Sequence, residues 1–245
     1  LPPTPGVSPD VELPGRLLLD GFCNAHSHAF QRAFRGQVQW RAEGEDDFWS
    51  WRDRMYRTAN RLDPAGVEAV SRLAFVEMLE AGITRVGEFH YLHHQPDGAP
   101  YSDPDELARR VAMAAASVGI RICLLRVAYE RSGPGVAIHK DQRRFADRSA
   151  GDVLRAIERL RGISHPLVTV GLAPHSARAV SAEWLAELSA FDGVIHSHVS
   201  EQPMDNHTCV EEHGMSPVAV FERAGMLHER FTAVHLTHPL RGDVE

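Results

Sequence analysis

Lysine is almost missing from this chain of 245 residues: of its 26 lysine and arginine residues, only Lys140 is a lysine. A two-metal centre bridged by a carboxylated lysine therefore has one candidate, and Lys140 lies in a polar region, not at the end of an apolar run. Positive charge is short overall. The formal net charge is −7, which argues against nucleic acid as the main partner, because phosphate binding needs a basic field. Cysteine is scarce too. Cys23, Cys123 and Cys209 are odd in number, far apart and without a CxxC pair, so neither a disulfide framework nor a thiolate zinc site is indicated. A reducing cytoplasm suits such a chain. No apolar run is long enough to span a bilayer and no charged-then-apolar leader is present, so no membrane partner is expected. Nor does a G-x-G-x-x-G follow any candidate strand, which removes the usual dinucleotide fingerprint.

What remains is an ordinary globular composition, 43% hydrophobic and 24% charged, of a size that a (β/α) barrel can fill as one domain. Short apolar runs at Leu17–Cys23, Ile83–Phe89, Ile120–Val127, Val168–Ala173, Val194–Val199 and Phe231–Leu236 read as six strands. Helices read between them. Asp63-Pro64 and Asp103-Pro104 each offer a capping side chain with Pro at the first helical position, and Gly82 and Gly119 stand where those helices should stop. Val67, Val70, Ala74 and Met78 recur at helical spacing. Asp152–Leu160, Ser181–Leu188 and a segment from Ser216-Pro217 to Gly225 read as further helices. Alternating strands and helices imply a parallel sheet, and polar residues gathered at the C-terminal ends of several strands favour a closed barrel over an open doubly wound sheet. The expected fold is α/β, a TIM-type (β/α)8 barrel with six of its eight strands present.

Histidine is the abundant residue type, with 15 copies. His26 and His28 alternate along the end of the first strand, so both imidazoles can face one metal. An isolated H-x-H is as often a polar strand end, but further clusters end later strands. His198, in His196-Ser-His-Val-Ser-Glu201, can supply a third nitrogen. Glu201 stands where that strand yields to a loop, placed to take a proton from water and return it to a leaving nitrogen. His235, at the end of the sixth run, can stabilise an oxyanion or protonate a leaving group. His238 lies just beyond and reads as a solvated residue. With no strand-end lysine, a single metal is expected.

Asn24-Ala-His-Ser-His-Ala-Phe-Gln-Arg32, Phe48-Trp-Ser-Trp-Arg-Asp53, Glu88-Phe-His-Tyr-Leu-His-His94, Ala173-Pro-His-Ser-Ala-Arg178 and His196-Ser-His-Val-Ser-Glu-Gln202 together resemble the formimidoylglutamate deiminases of the amidohydrolase superfamily. The likeness runs from about Leu17 to the end of the chain. It implies hydrolysis of N-formimino-L-glutamate to N-formyl-L-glutamate and ammonia, a step of histidine degradation. It further implies His26, His28 and His198 as ligands of one Zn2+, with iron an alternative, Glu201 as proton shuttle and His235 as stabiliser of the tetrahedral intermediate. Gln31, Arg52, Tyr91, His175 and Arg178 are the substrate contacts it implies, the arginine forks suiting a small molecule with two carboxylates. His90, His93 and His94 are left as structural. Self-association into a homo-oligomer stays open, as does a cyclic amidine such as guanine as the substrate.

The superfamily adds one more metal ligand, an Asp at the end of an eighth strand. Here the chain reaches Glu245 just after the sixth, and Asp243 sits in a polar tail, so that ligand is expected outside the chain. Residues 1–16 are expected to be a remnant of a small N-terminal β domain, and 17–245 the N-terminal part of the barrel. The chain also begins at Leu1 and not at Met. Alone, it is expected to bind zinc weakly and to turn over little, or to persist as an inactive fragment.

Overall fold

The computed structural model describes residues 13–37 and 48–244. Among them six parallel strands hydrogen-bond in chain order. These are β1 (Phe22–Ser27), β2 (Ile83–His90), β3 (Arg121–Ala128), β4 (Val168–Pro174), β5 (Ile195–Val199) and β6 (Phe231–His235). The sheet curls until its two ends meet: the His26 ring of β1 lies 5.0 Å from that of His198 on β5 and 5.7 Å from that of His235 on β6. The result is a nearly closed α/β barrel. Seven helices run outside the strand ladder: α1 (Phe48–Ala59), α2 (Pro64–Glu80), α3 (Glu106–Val118), α4 (Ala150–Arg161), α5 (Ala182–Leu188), α6 (Pro203–His213) and α7 (Pro217–Arg223). None is long and apolar enough to cross a membrane.

Local chemistry accounts for most element boundaries. Asp63 accepts from the Gly66 amide at 2.7 Å and Pro64 opens α2. Ser149, Ser181 and Ser216 cap α4, α5 and α7 in the same manner. Val67 and Ala74 of α2 are buried, with Val70 and Met78 packed partly buried beside them. Two apolar clusters share the core. One joins β2, β3 and β4 with α2 and α3, and the other lies under α4, α5 and α7.

Three expectations need correction. The apolar run Leu17–Cys23 is not a strand over its length, because pairing starts only where Phe22 meets Ile83; Leu17, Leu18 and Leu19 lie before that register and are 84%, 84% and 74% exposed. His26 sits at the end of β1, as read. Pro104 does not open α3, because Asp103 instead forms a turn, accepting from the amides of Asp105 and Glu106. The helix starts after Asp105, whose carboxylate is held by Arg159 at 2.6 and 3.0 Å. Helices α1 and α6 had no counterpart among the expected elements. The expected β-domain remnant over 1–16 falls, for residues 1–12, outside the described residues.

Candidate active site

Alternate residues of a strand share a face, and the inward face of nearly every strand end here carries a ring. Nε2 of His26 lies 3.0 Å from Nε2 of His28 and 3.3 Å from Nε2 of His198. Suitable ligand atoms of the three all lie within 4.8 Å of one another, and among the described residues this group contains these histidines alone. Nδ1 of His28 donates to the Phe89 carbonyl at 2.9 Å, leaving its Nε2 lone pair facing inward. Burial lowers the His28 pKa to about 4 and, helped by His28, His235 and His196, that of His26 to about 2. It pushes His198 far down as well, with His175, His28, His26 and His235 adding to the effect. Uncharged imidazoles whose nitrogens converge have the donor chemistry of a cation site. Tetrahedral zinc–nitrogen bonds of about 2.0–2.1 Å place ligating nitrogens roughly 3.3 Å apart, so these residues fit zinc. Gly87 allows this crowding, since a Cβ there would lie 2.7 Å from the Ala25 carbonyl and 3.4 Å from His196 Cε1.

Ser200 turns the chain out of β5 with a φ of 49°, and this brings Glu201 under the end of β6. There its Oε1 lies 3.5 Å from Nε2 of His235. His235 itself has a φ of 71°, an uncommon conformation for a non-glycine residue that marks functional sites more often than chance. Its ring stacks on that of His198 at 5.1 Å. Burial raises the Glu201 pKa, against the pull of His235. A carboxylate kept partly out of water beside an imidazole can both accept and return a proton. Asp243 lies elsewhere, accepting from Ser216 Oγ and from the Leu240 amide at 2.7 Å.

The five remaining sequence-derived residues gather with these around one cavity of about 200 Å³. Gln31, in a 3-10 turn over Ala29–Phe34, donates to the Tyr91 hydroxyl at 3.1 Å. His175 follows β4 and packs its ring 4.8 Å from that of His198. Arg178 lines the same cavity, 3.3 Å from Asp205. Arg52 approaches from α1, its guanidinium 5.6 Å from the Tyr56 ring centroid. The cavity is thus lined by histidines and by two arginines together.

Other parts of the motifs hold structure. Arg32 grips Glu77 of α2 through two bonds of 2.6 and 2.7 Å, and Phe30 and Phe34 are buried in the core. His93 and His94 turn to the carbonyls of Val127 and Ala146, each at 3.0 Å, so they stand apart from the cation site as expected. His238 is exposed, as read. Sequence reasoning passed over Trp51, Met55, Tyr56, Tyr129 and Phe145, which also line the cavity. Tyr129 had a findable signal, standing just past β3 in phase with Val127. On α1, Trp51 stood within the quoted Phe48–Asp53 motif beside Arg52, whereas Met55 and Tyr56 had no signal, because that helix was not foreseen.

The sequence profile described as "Amidohydrolase family" matches residues 17–245. The chain belongs to the amidohydrolase family. It is 38% identical over 232 residues to a formimidoylglutamate deiminase of Pseudomonas aeruginosa, covering 91% of this chain and 50% of that protein. A crystal structure of an amidohydrolase from Brucella melitensis superposes with a TM-score of 0.85 at 39% identity, over 91% of this chain and 51% of the other. An adenosine deaminase from Xanthomonas campestris with bound zinc shares the fold, with a TM-score of 0.67 at 22% identity over 90% of this chain and 45% of its own. The chain spans about half the length of the relatives it matches.

Proposed function

We propose that the protein of which this chain forms part is a zinc-dependent deiminase acting on N-formimino-L-glutamate, with water as co-substrate and N-formyl-L-glutamate and ammonia as products. One observation carries the reading. A single cavity is lined by three convergent imidazole nitrogens, by the Glu201–His235 pair and by Arg52 and Arg178. A small amidine with two carboxylates matches that polarity, whereas a neutral heterocycle has no use for two guanidinium groups. The likeness to the Pseudomonas aeruginosa deiminase supports the same reading.

His26, His28 and His198 would hold the zinc, which supplies Lewis acidity and makes water a better nucleophile near neutral pH. Glu201 takes the proton that water sheds on attacking the formimino carbon, and returns it to the nitrogen that departs as ammonia. His235, 3.5 Å from that carboxylate, orients it and stabilises charge that builds during attack. Gln31, Tyr91 and His175 line the flank and keep the amidine aligned, while Arg52 and Arg178 bind the carboxylates. The decisive assay measures ammonia from the complete gene product given formiminoglutamate beside guanine. Ammonia from guanine and none from formiminoglutamate would overturn the proposal.

A further inference from the structure

Gln142 touches no part of the cation site, yet it controls two side chains of the cavity. It ends the 3-10 turn Lys140–Gln142 in the loop after β3 and is 3% exposed. Its amide has a determinable orientation. The His139 backbone N–H, which can only donate, is shared between Ser132 Oγ at 2.9 Å and Gln142 Oε1 at 3.3 Å, and the Ser132 hydroxyl donates on to that same Oε1. The other end is therefore the NH2 group. It donates to the hydroxyl oxygens of Tyr56 and Tyr129, both at 2.8 Å.

Counting hydrogens then sets the direction of the phenols. Each oxygen accepts from Gln142, and an NH2 group whose two hydrogens are committed takes nothing back. The pair keeps two hydroxyl hydrogens. Even where one phenol donates to the other, one hydrogen is left with no acceptor among the described residues, and both rings line the cavity. A buried donor without a partner is destabilising, so the cavity's occupant is selected to accept. Arg178 adds its positive charge beside both phenols. The Tyr129 ring is separated from His198 by His175, whose ring lies 4.7 Å from the first and 4.8 Å from the second. Donors with a cation, one ring removed from His198, describe a carboxylate subsite.

We propose that Gln142 is a positioning residue that holds Tyr56 and Tyr129 as donors into the cavity, where they bind a substrate carboxylate. This rests on the dicarboxylate reading above. Its probe is glutarate, a dicarboxylate without the amidine, titrated calorimetrically into the complete gene product and its variants. Replacing both tyrosines (Tyr56→Phe with Tyr129→Phe) should weaken glutarate about tenfold or more, as loss of a bond to a charged group does. Gln142→Met should weaken it several-fold when the tyrosines are present, and less than about twofold when both are Phe, the coupling expected of a residue acting through them. An equal loss in both backgrounds would mean that Gln142 acts by another route and would overturn the proposal. So would unchanged glutarate binding in the double Phe variant, which decides the matter even if Gln142→Met fails to fold. Wild-type ammonia release from formiminoglutamate, without tyrosine-dependent glutarate binding, sinks this inference and leaves the proposed function standing. Tyrosine-dependent and Gln142-dependent glutarate binding without ammonia release does the reverse.

Discussion

Nδ1 of His28 lies 2.9 Å from the carbonyl oxygen of Phe89, and that one hydrogen bond decides which nitrogen of the ring is free. The proton resides on Nδ1, so the Nε2 lone pair faces Nε2 of His26 at 3.0 Å. A backbone carbonyl of β2 thus prepares a side chain just past β1 to bind a cation, the usual outer-shell arrangement of metal-bound histidine.

The first prediction concerns metal content. His26→Ala, His28→Ala and His198→Ala should each reduce bound zinc, by elemental analysis, by about tenfold or more at limiting metal. His93→Ala should leave it unchanged, because that ring is spent on the Val127 carbonyl. A loss of zinc in His93→Ala equal to that in His198→Ala would refute the ligand set.

Glu201→Gln preserves shape while removing the proton acceptor. In the complete gene product kcat should fall about 10²–10⁴-fold, the range for a general acid/base, with zinc content and KM little altered. Normal ammonia release from this variant would remove Glu201 from the mechanism.

A pH dependence of stability follows from Glu88. Burial raises its pKa from 4.5 to about 8, although its Oε1 accepts from the Ala29 amide at 2.7 Å. Between those two values the unfolded chain has lost the proton and the folded chain keeps it, so stability falls as pH rises through the window. The buried histidines act with the opposite sign: with folded values of about 2 for His26 and about 4 for His28, their contribution is present above the ordinary value of 6.5 and fades as pH falls. Urea titrations of metal-free protein should therefore show the decline above neutral pH shrinking in Glu88→Gln. An identical pH slope in wild type and variant would contradict the buried, protonated carboxyl.

The buried ion pair behind the cavity gives the last prediction. Arg126 and Asp147 meet at 2.6 Å with side chains 6% and 3% exposed, and the Asp147 amide donates to the Tyr129 carbonyl at 2.8 Å. Asp147→Ala leaves a buried guanidinium unpaired and should cost about 3–5 kcal/mol of unfolding free energy. A change below about 1 kcal/mol would show the pair to be solvated.

Strand positions, most helix caps and the identity of the site histidines were legible in the sequence, because each depends on neighbours a few residues away. Apolar runs of strand length, Asp or Ser before Pro, and alternation in His26-Ser-His28 are local signals of local physics. The start of β1 was misread because a strand needs a partner, and the partner's beginning at Ile83 is not visible from Leu17. Tertiary structure alone decided that His198 comes within 3.3 Å of His26 across 172 residues of chain, and that Gln142 reaches Tyr56 and Tyr129 from a loop. Which nitrogen carries a proton, which guanidinium faces the cavity and which carboxyl stays neutral depend on burial and on partners brought in from distant strands. Such contacts arise only when the barrel curls.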